Sequence, residues 1–227
     1  MALYAISDLH LSLGTDKPMS VFGGNWENYE EKLQKNWNEK VKPDDAVIIN
    51  GDVSWAMYLE HTDRDFEFIN NLNGTKLISK GNHDYWWTTM KKQKDFCEKM
   101  GFNTINFLQN NCYMYKNTAV CATRGWILTS NNAEDKRIYS RELERLQLGL
   151  RAANAKNPDK IIAALHYPPD LNFMTVLENF GVSICVYGHL HGNVRANSNY
   201  FEDTVNGIEY RLVSCDYLDF DPLRLVD

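Results

Sequence analysis

Five short segments of this 227-residue sequence carry side chains able to bind metal or move protons: Asp8-Leu9-His10, Gly51-Asp52, Gly81-Asn82-His83-Asp84, His166 and Gly188-His189-Leu190-His191. They hold five of the six histidines. Taken singly, each is an ordinary turn or a satisfied polar side chain. Their placement argues otherwise, because each follows directly on a short apolar run of β type: Leu3–Ser7, Ala46–Asn50, Lys76–Ser79, Ile161–Leu165 and Ser183–Tyr187. In open α/β sheets the carboxyl ends of the strands form the ligand crevice, so the five segments converge on one site. Carboxylates and imidazoles buried there without partners are costly, and a divalent cation satisfies many such acceptors at once. Imidazole with carboxylate or amide oxygen, and no thiolate, suits Mn, Fe, Zn, Co or Ni.

The elements that must position these side chains form an α/β pattern. Further β-type runs lie at Ala119–Thr123 and Tyr210–Ser214, and helical periodicity spans Tyr29–Lys40, Thr62–Asn71, Thr88–Met100, Ser140–Ala153 and Leu171–Asn179. Ser140 reads as an N-cap ahead of Leu143, Leu146 and Leu150. The early part is βαβαβ, and Asn103–Trp126 reads as consecutive strands. No linker or repeat interrupts the chain, so residues 1–227 are expected to form a single domain.

Composition narrows the function. Against 30 Asp+Glu stand 24 Lys+Arg, a formal charge of −6 with no basic tract, which argues against long nucleic acid as a partner. The apolar runs are far shorter than the ~18–20 residues of a spanning helix, so no membrane insertion is expected. The N-terminal stretch lacks a basic n-region and carries Asp8, and the five cysteines show no CxxC spacing, which suits buried reduced thiols and a cytoplasmic location.

The ordered set Asp-x-His, Gly-Asp, Gly-Asn-His-Asp, His and Gly-His-x-His resembles the calcineurin-like metallophosphoesterases, over most of the chain. The resemblance implies a four-layer αββα sandwich with the active site at the strand C-terminal ends and two divalent transition metal ions per chain. Carried over motif by motif, Asp8, His10 and His191 would hold one ion, Asn82, His166 and His189 the other, and Asp52 would bridge. Two such ions stabilise attacking and leaving oxygens in phosphoryl transfer and supply a hydroxide nucleophile at neutral pH. The expected activity is hydrolysis of a small phosphomonoester, phosphodiester or nucleotide-like compound. The alternative is a metal-stabilised scaffold that turns nothing over.

His83 and Asp84 are the candidate catalytic pair. His83 touches the phosphate or protonates the leaving oxygen, or else it is a supporting histidine hydrogen-bonded to Asp84; Asp84 orients rather than reacts. Departures from relatives narrow the substrate. Gly51-Asp52-Val53-Ser54-Trp55-Ala56 lacks the Asp and Arg of the protein Ser/Thr phosphatases, which argues against a phosphoprotein. Trp55 stands where purple acid phosphatases place a tyrosine ligand, whereas His83 is absent from the retromer-type scaffolds. Tyr85, Trp86 and Trp87 are candidates for stacking on a planar leaving group or are core residues. Arg124 is a candidate phosphate grip or a surface ion pair, and Ser12–Asn28 is a rim, a lid or a solvated loop.

Overall fold

The computed structural model of the protein describes residues 1–130 and 132–227. Among these residues, strands β1 (Leu3–Ile6), β2 (Ala46–Asn50), β3 (Thr75–Ser79), β4 (Ile105–Phe107) and β11 (Leu223–Val226) form one sheet, ordered β11-β1-β2-β3-β4. A second sheet contains β5 (Cys112–Tyr115), β6 (Thr118–Thr123), β7 (Lys160–Leu165), β8 (Ile184–Tyr187), β9 (Thr204–Val205) and β10 (Ile208–Leu212), ordered β5-β6-β7-β8-β10-β9. Both have parallel centres; the first has one antiparallel edge, β11, and the second is antiparallel at both edges, β5 and β9. Helices α1 (Tyr29–Lys40), α2 (Asp63–Asn71) and α3 (Met90–Met100) make the crossovers of the first sheet; α4 (Ala133–Asn154) and α5 (Leu171–Asn179) make those of the second.

Period-two alternation along the strands builds four layers. Leu3, Ala5, Ile48 and Leu77 of the first sheet pack on Val120, Ala122, Ala164 and Val186 of the second. Their neighbours Tyr4, Ile6, Val47 and Ile49 face outward onto Leu33, Trp37 and Phe66 of α1 and α2. Ala119, Cys121 and Ala163 meet Leu146, Leu150 and Phe173 of α4 and α5 in the same way. Because both faces of each central strand are covered, these runs are apolar throughout.

Two differences from the sequence reading have local causes. Helix α4 begins at Ala133, capped by Asn132, whose side-chain oxygen accepts from Asp135 N at 2.7 Å. Its first turn, Ala133–Lys136, is polar and carries no apolar stripe, so periodicity alone places the start later, at Ser140. Strand β11 is a four-residue edge that pairs antiparallel with β1, too short for alternation to reveal.

The sheets are joined near the crevice by Asn50, which is fully buried. Its amide donates to Leu165 O at 2.7 Å across the sandwich and accepts from Ser79 Oγ at 2.9 Å, while its backbone carbonyl meets His166 Nδ1 at 3.1 Å. Asn50→Leu keeps the volume but strands the Leu165 carbonyl and the Ser79 hydroxyl. The expected loss is about 2–3 kcal/mol, read as a lower urea midpoint at unchanged m. A loss under about 0.5 kcal/mol, the range of an ordinary surface substitution, would show that sheet docking does not depend on this amide.

Candidate metal centre

Every metal-binding candidate of the sequence stands at the C-terminal end of a strand: Asp8 and His10 after β1, Asp52 after β2, Asn82 after β3, His166 after β7, His189 and His191 after β8. Four of them, Asp8 (φ 60°), His10 (φ 47°), Asp52 (φ 50°) and His189 (φ 71°), hold left-handed backbone. That conformation costs a non-glycine residue roughly 1 kcal/mol or more and persists only where the surroundings impose it. It turns each chain sharply off its strand and aims the side chain back over the sheet edge. Gly51 (φ 84°) makes the turn before Asp52, where a Cβ would stand 2.6 Å from Gly81 N. At Gly188 a Cβ would overlap the Asp8 carboxylate.

The carboxylates are anchored on one side and open on the other. Asp8 Oδ2 accepts from Ser7 Oγ, from Ser214 Oγ at 3.1 Å and from His189 N at 3.0 Å. Its Oδ1 faces His191 Nε2 at 3.5 Å and His166 Nδ1 at 3.9 Å. Asp52 Oδ1 accepts from His83 N at 2.7 Å. Its Oδ2 stands 3.4 Å from His166 Nε2 and 3.8 Å from His10 Nε2, between the two groups of imidazoles.

The donor chemistry fits a cation. His166 Nδ1 meets the Asn50 carbonyl, which only accepts, so in the neutral ring that nitrogen carries the proton and Nε2 is bare. That Nε2 and His189 Nδ1 face the same amide oxygen, Asn82 Oδ1, at 2.8 and 2.9 Å. Likewise, His191 Nδ1 bonds Asp216 Oδ1 at 3.0 Å, and its Nε2 is turned to His10 Nε2 at 3.3 Å. Ligand atoms 2.0–2.2 Å from one ion stand about 3.0–3.6 Å from one another, close to these spacings. Asp8 with His10 and His191, and Asp8 with Asp52 and His166, each bring three donor atoms within 4.8 Å.

Without a cation, protons do part of this work. Burial opposes charge on Asp8 and Asp52, but His166 holds both carboxyls below their usual range, helped by His191 and His10 at Asp8 and by His10 at Asp52. Burial would lower His166, yet Asp52 and Asp8 push it up to about 9. Burial also works against His191, which Asp216 and Asp8 push up to about 10. Burial dominates at His10 and His189, both lowered to about 4.

Asp84 bonds to backbone amides and to Trp86, not to the His83 ring, in keeping with an orienting role. It is fully buried, and its carboxylate accepts from Asp52 N at 2.9 Å, Val53 N at 2.9 Å, Gly81 N at 2.7 Å and Trp86 Nε1 at 3.0 Å. It therefore ties the loop after β2 to the loop after β3. The His83 Nδ1 is buried without a protein partner, and the ring packs 4.6 Å from Trp55. Trp86, a candidate substrate contact, is 2% exposed and packs edge-on to Phe66 at 5.1 Å, so it belongs to the core. Tyr85 is exposed at the rim, 6.1 Å from the His83 ring. Arg124 lies in a separate pocket with Lys80, Glu142 and Arg145.

A cleft of about 620 Å³ opens over the cluster, and His10, Asp52, His83, His189 and His191 face it. The segment Ser12–Asn28 forms its apolar wall through Met19, Phe22 and Trp26, with Trp55 stacked on His10 at 4.9 Å. Asp216 is the residue that motif spacing misses. It fixes His191 and accepts from Gly192 N at 3.0 Å, and its one signal is that it follows β10 at the same end of the sandwich.

Solved structures share this architecture. A phosphopantetheinyl hydrolase from Mycobacterium tuberculosis aligns over 99% of this chain and 95% of its own, with TM-score 0.53 and 15% identity. The protein TT1561 of Thermus thermophilus aligns over 99% and 97%, with TM-score 0.59 and 10% identity. A protein of unknown function from Aquifex aeolicus, AQ665, aligns over 98% and 95%, with TM-score 0.52 and 16% identity. No curated protein matches the chain by sequence. Residues 1–193 match the calcineurin-like phosphoesterase family, a span that contains all seven metal-ligand candidates together with His83, and the chain belongs to that family.

Proposed function

We propose that the protein hydrolyses a small phosphoester, a phosphomonoester, phosphodiester or nucleotide-like compound, in the cytoplasm, with two divalent transition ions drawn from Mn, Fe, Zn, Co or Ni. Asp8, His10 and His191 would hold one ion and Asn82, His166 and His189 the other, with Asp52 shared. The observation that carries this reading is the convergence of His166 Nε2 and His189 Nδ1 on Asn82 Oδ1, at 2.8 and 2.9 Å, beside Asp52 and His83 at the floor of one cleft. Divalent ions there supply Lewis acidity and an activated water at neutral pH.

The chain's own residues do the rest. Asp52 fixes the His83 backbone, and Trp55 fixes its ring, so the imidazole faces the cleft in one orientation and can give a proton to the departing oxygen. Met19, Phe22, Trp26 and Trp55 offer that leaving group an apolar, partly aromatic wall. The carboxylates of Asp8 and Asp52 repel a bare phosphate, so substrate binding needs the cations they would hold.

A panel of phosphoesters assayed with added Mn, Ni, Co and Zn tests the activity; bound metal without turnover of any ester would make the protein a scaffold. The metal assignment has two readouts of its own. Purified protein should carry up to two ions by elemental analysis, and Asp52→Ala should lose most of both. Unchanged occupancy would sink the shared role. The metal-free protein holds protons on His166 and His191 below about 9 and 10. Each ion must displace them, so affinity should rise with pH between 6 and 8, and calorimetry in buffers of different ionisation enthalpy should register about two protons released per chain. Affinity that is flat with pH would remove these histidines from the ligand set.

His83→Ala should keep its metals while kcat falls by ~10²–10⁴, the usual worth of a positioned acid–base group. The fall should be steepest for esters with poor leaving groups and slight for nitrophenyl esters. An equal fall for both classes would assign His83 to binding the phosphoryl group instead.

A further inference from the structure

One strand further along each sheet from the cluster lies a second, smaller pocket. Lys80 follows β3 and Arg124 follows β6, at the same ends of the two sheets that carry Asn82 and His166. Between them lies a pocket of about 60 Å³, which Arg145 of α4 also lines. In a chain of net charge −6, this is a concentration of positive charge. Arg124, Arg145 and Arg141 all turn to one carboxylate, Glu142, which is 1% exposed.

Glu142 does not satisfy them all. Its Oε1 takes Arg145 Nη1 at 2.8 Å, and its Oε2 takes Thr123 Oγ1 at 2.8 Å. Arg124 reaches it only through Nη2 at 3.4 Å, and Arg124 Nε is buried without any protein partner. A buried donor left unpaired costs about 1–3 kcal/mol, more for a charged group, so it marks a place built for an acceptor.

Tyr167 links this pocket to the cluster. Its N–H donates to Arg124 O at 2.9 Å, and its ring lies 4.2 Å from His189 and 5.4 Å from Trp126. The Arg124 guanidinium is stacked over Trp126 at 4.6 Å, which holds the fork in place. Lys80 is two residues from Asn82, so the backbone that carries it lies within about 7 Å of that ligand candidate's backbone.

We propose that this pocket is a second anion subsite, which takes a non-reacting phosphate of the substrate while the reacting phosphoryl group lies at the metal cluster. It rests on the phosphoester reading above and narrows it to compounds that carry two separate phosphates on one small unit, such as the 3′ and 5′ hydroxyls of one ribose. Arg124 offers its fork, Lys80 a point charge, and the apolar cleft on the opposite side receives the remainder of the molecule.

The test compares kcat/KM for adenosine 3′,5′-bisphosphate with those for the two adenosine monophosphates. The wild type should favour the bisphosphate by about tenfold or more, and Lys80→Gln and Arg124→Gln should each bring that ratio close to unity, chiefly through KM. Lys80→Gln decides the matter should Arg124→Gln not fold. A wild-type ratio near unity, or a ratio that neither variant changes, overturns the proposal. Inorganic sulfate, titrated against the fluorescence of Trp87 and Trp126, gives a readout independent of turnover. It should bind saturably, compete with the bisphosphate and weaken in Lys80→Gln. Sulfate binding without competition would make the pocket a site for a free anion and overturn its role in the substrate. Should no phosphoester be turned over, the hydrolase reading fails, while competition between sulfate and bisphosphate still decides the subsite.

Discussion

Two buried carboxylates, Asp8 and Asp52, face one buried imidazole, His166, at the line where the two sheets meet. An ion pair so placed costs several kcal/mol per charge in desolvation and is stable only when each remaining lone pair finds a partner. Much of the local structure serves that requirement. Ser7, Ser214 and the His189 N–H saturate one oxygen of Asp8, the His83 N–H binds one of Asp52, and Asn50 fixes the His166 ring. What is left over, Asp8 Oδ1, Asp52 Oδ2 and the inward imidazole nitrogens, points to common ground. The left-handed backbones of Asp8, His10, Asp52 and His189 are the strain accepted to aim them there.

The surroundings of the cluster are polarised. On one side His10 stacks on Trp55, and Met19, Phe22 and Trp26 make a greasy wall; on the other, Lys80, Arg124 and Arg145 outnumber Glu142. The overall charge of −6 conceals this division, because composition sums over a surface that the fold partitions. A small molecule with a charged end and an apolar or planar end matches such a crevice better than a polymer does. A long nucleic acid would need positive charge along a track, and here the cations nearest the cluster, Lys80, Arg124 and Arg145, line one small pocket.

Most of the framework was legible because the central strands are apolar on both faces and those that build the site are followed closely by their polar cargo. The helices Tyr29–Lys40 and Leu171–Asn179 end where their periodicity ends. What escaped reading lacks such a signal. The fixing of His191 by Asp216 joins residues 25 apart, and Asn50 reads as the last residue of a strand although its amide binds the opposite sheet. The aromatic run after Gly81-Asn82-His83-Asp84 divides in a way that no pattern gives. Tyr85 is exposed, while Trp86 is buried because Asp84 captures its indole N–H. Adjacent aromatic residues meet opposite fates because the turn after β3 reverses the chain between them.

The two sheets contribute unequally and jointly. Asp8, His10, Asp52 and Asn82 come from loops of the first sheet, whereas His166, His189, His191 and Asp216 come from the second. Neither set is a site alone: Asn82 needs His166 and His189, and His10 needs His191. The inner faces that dock the sheets, Leu3, Ile48 and Leu77 on Val120, Ala164 and Val186, are small or aliphatic and carry no directional preference of their own. Asn50, the Ser7–Ser214 bridge and the shared donors therefore set the register of one sheet on the other. A ligand that joined donors from both sheets would stabilise that register by its own binding free energy. The metal centre and the core of this fold are in that sense one interaction, with the apolar layer supplying the adhesion and the polar rim its alignment.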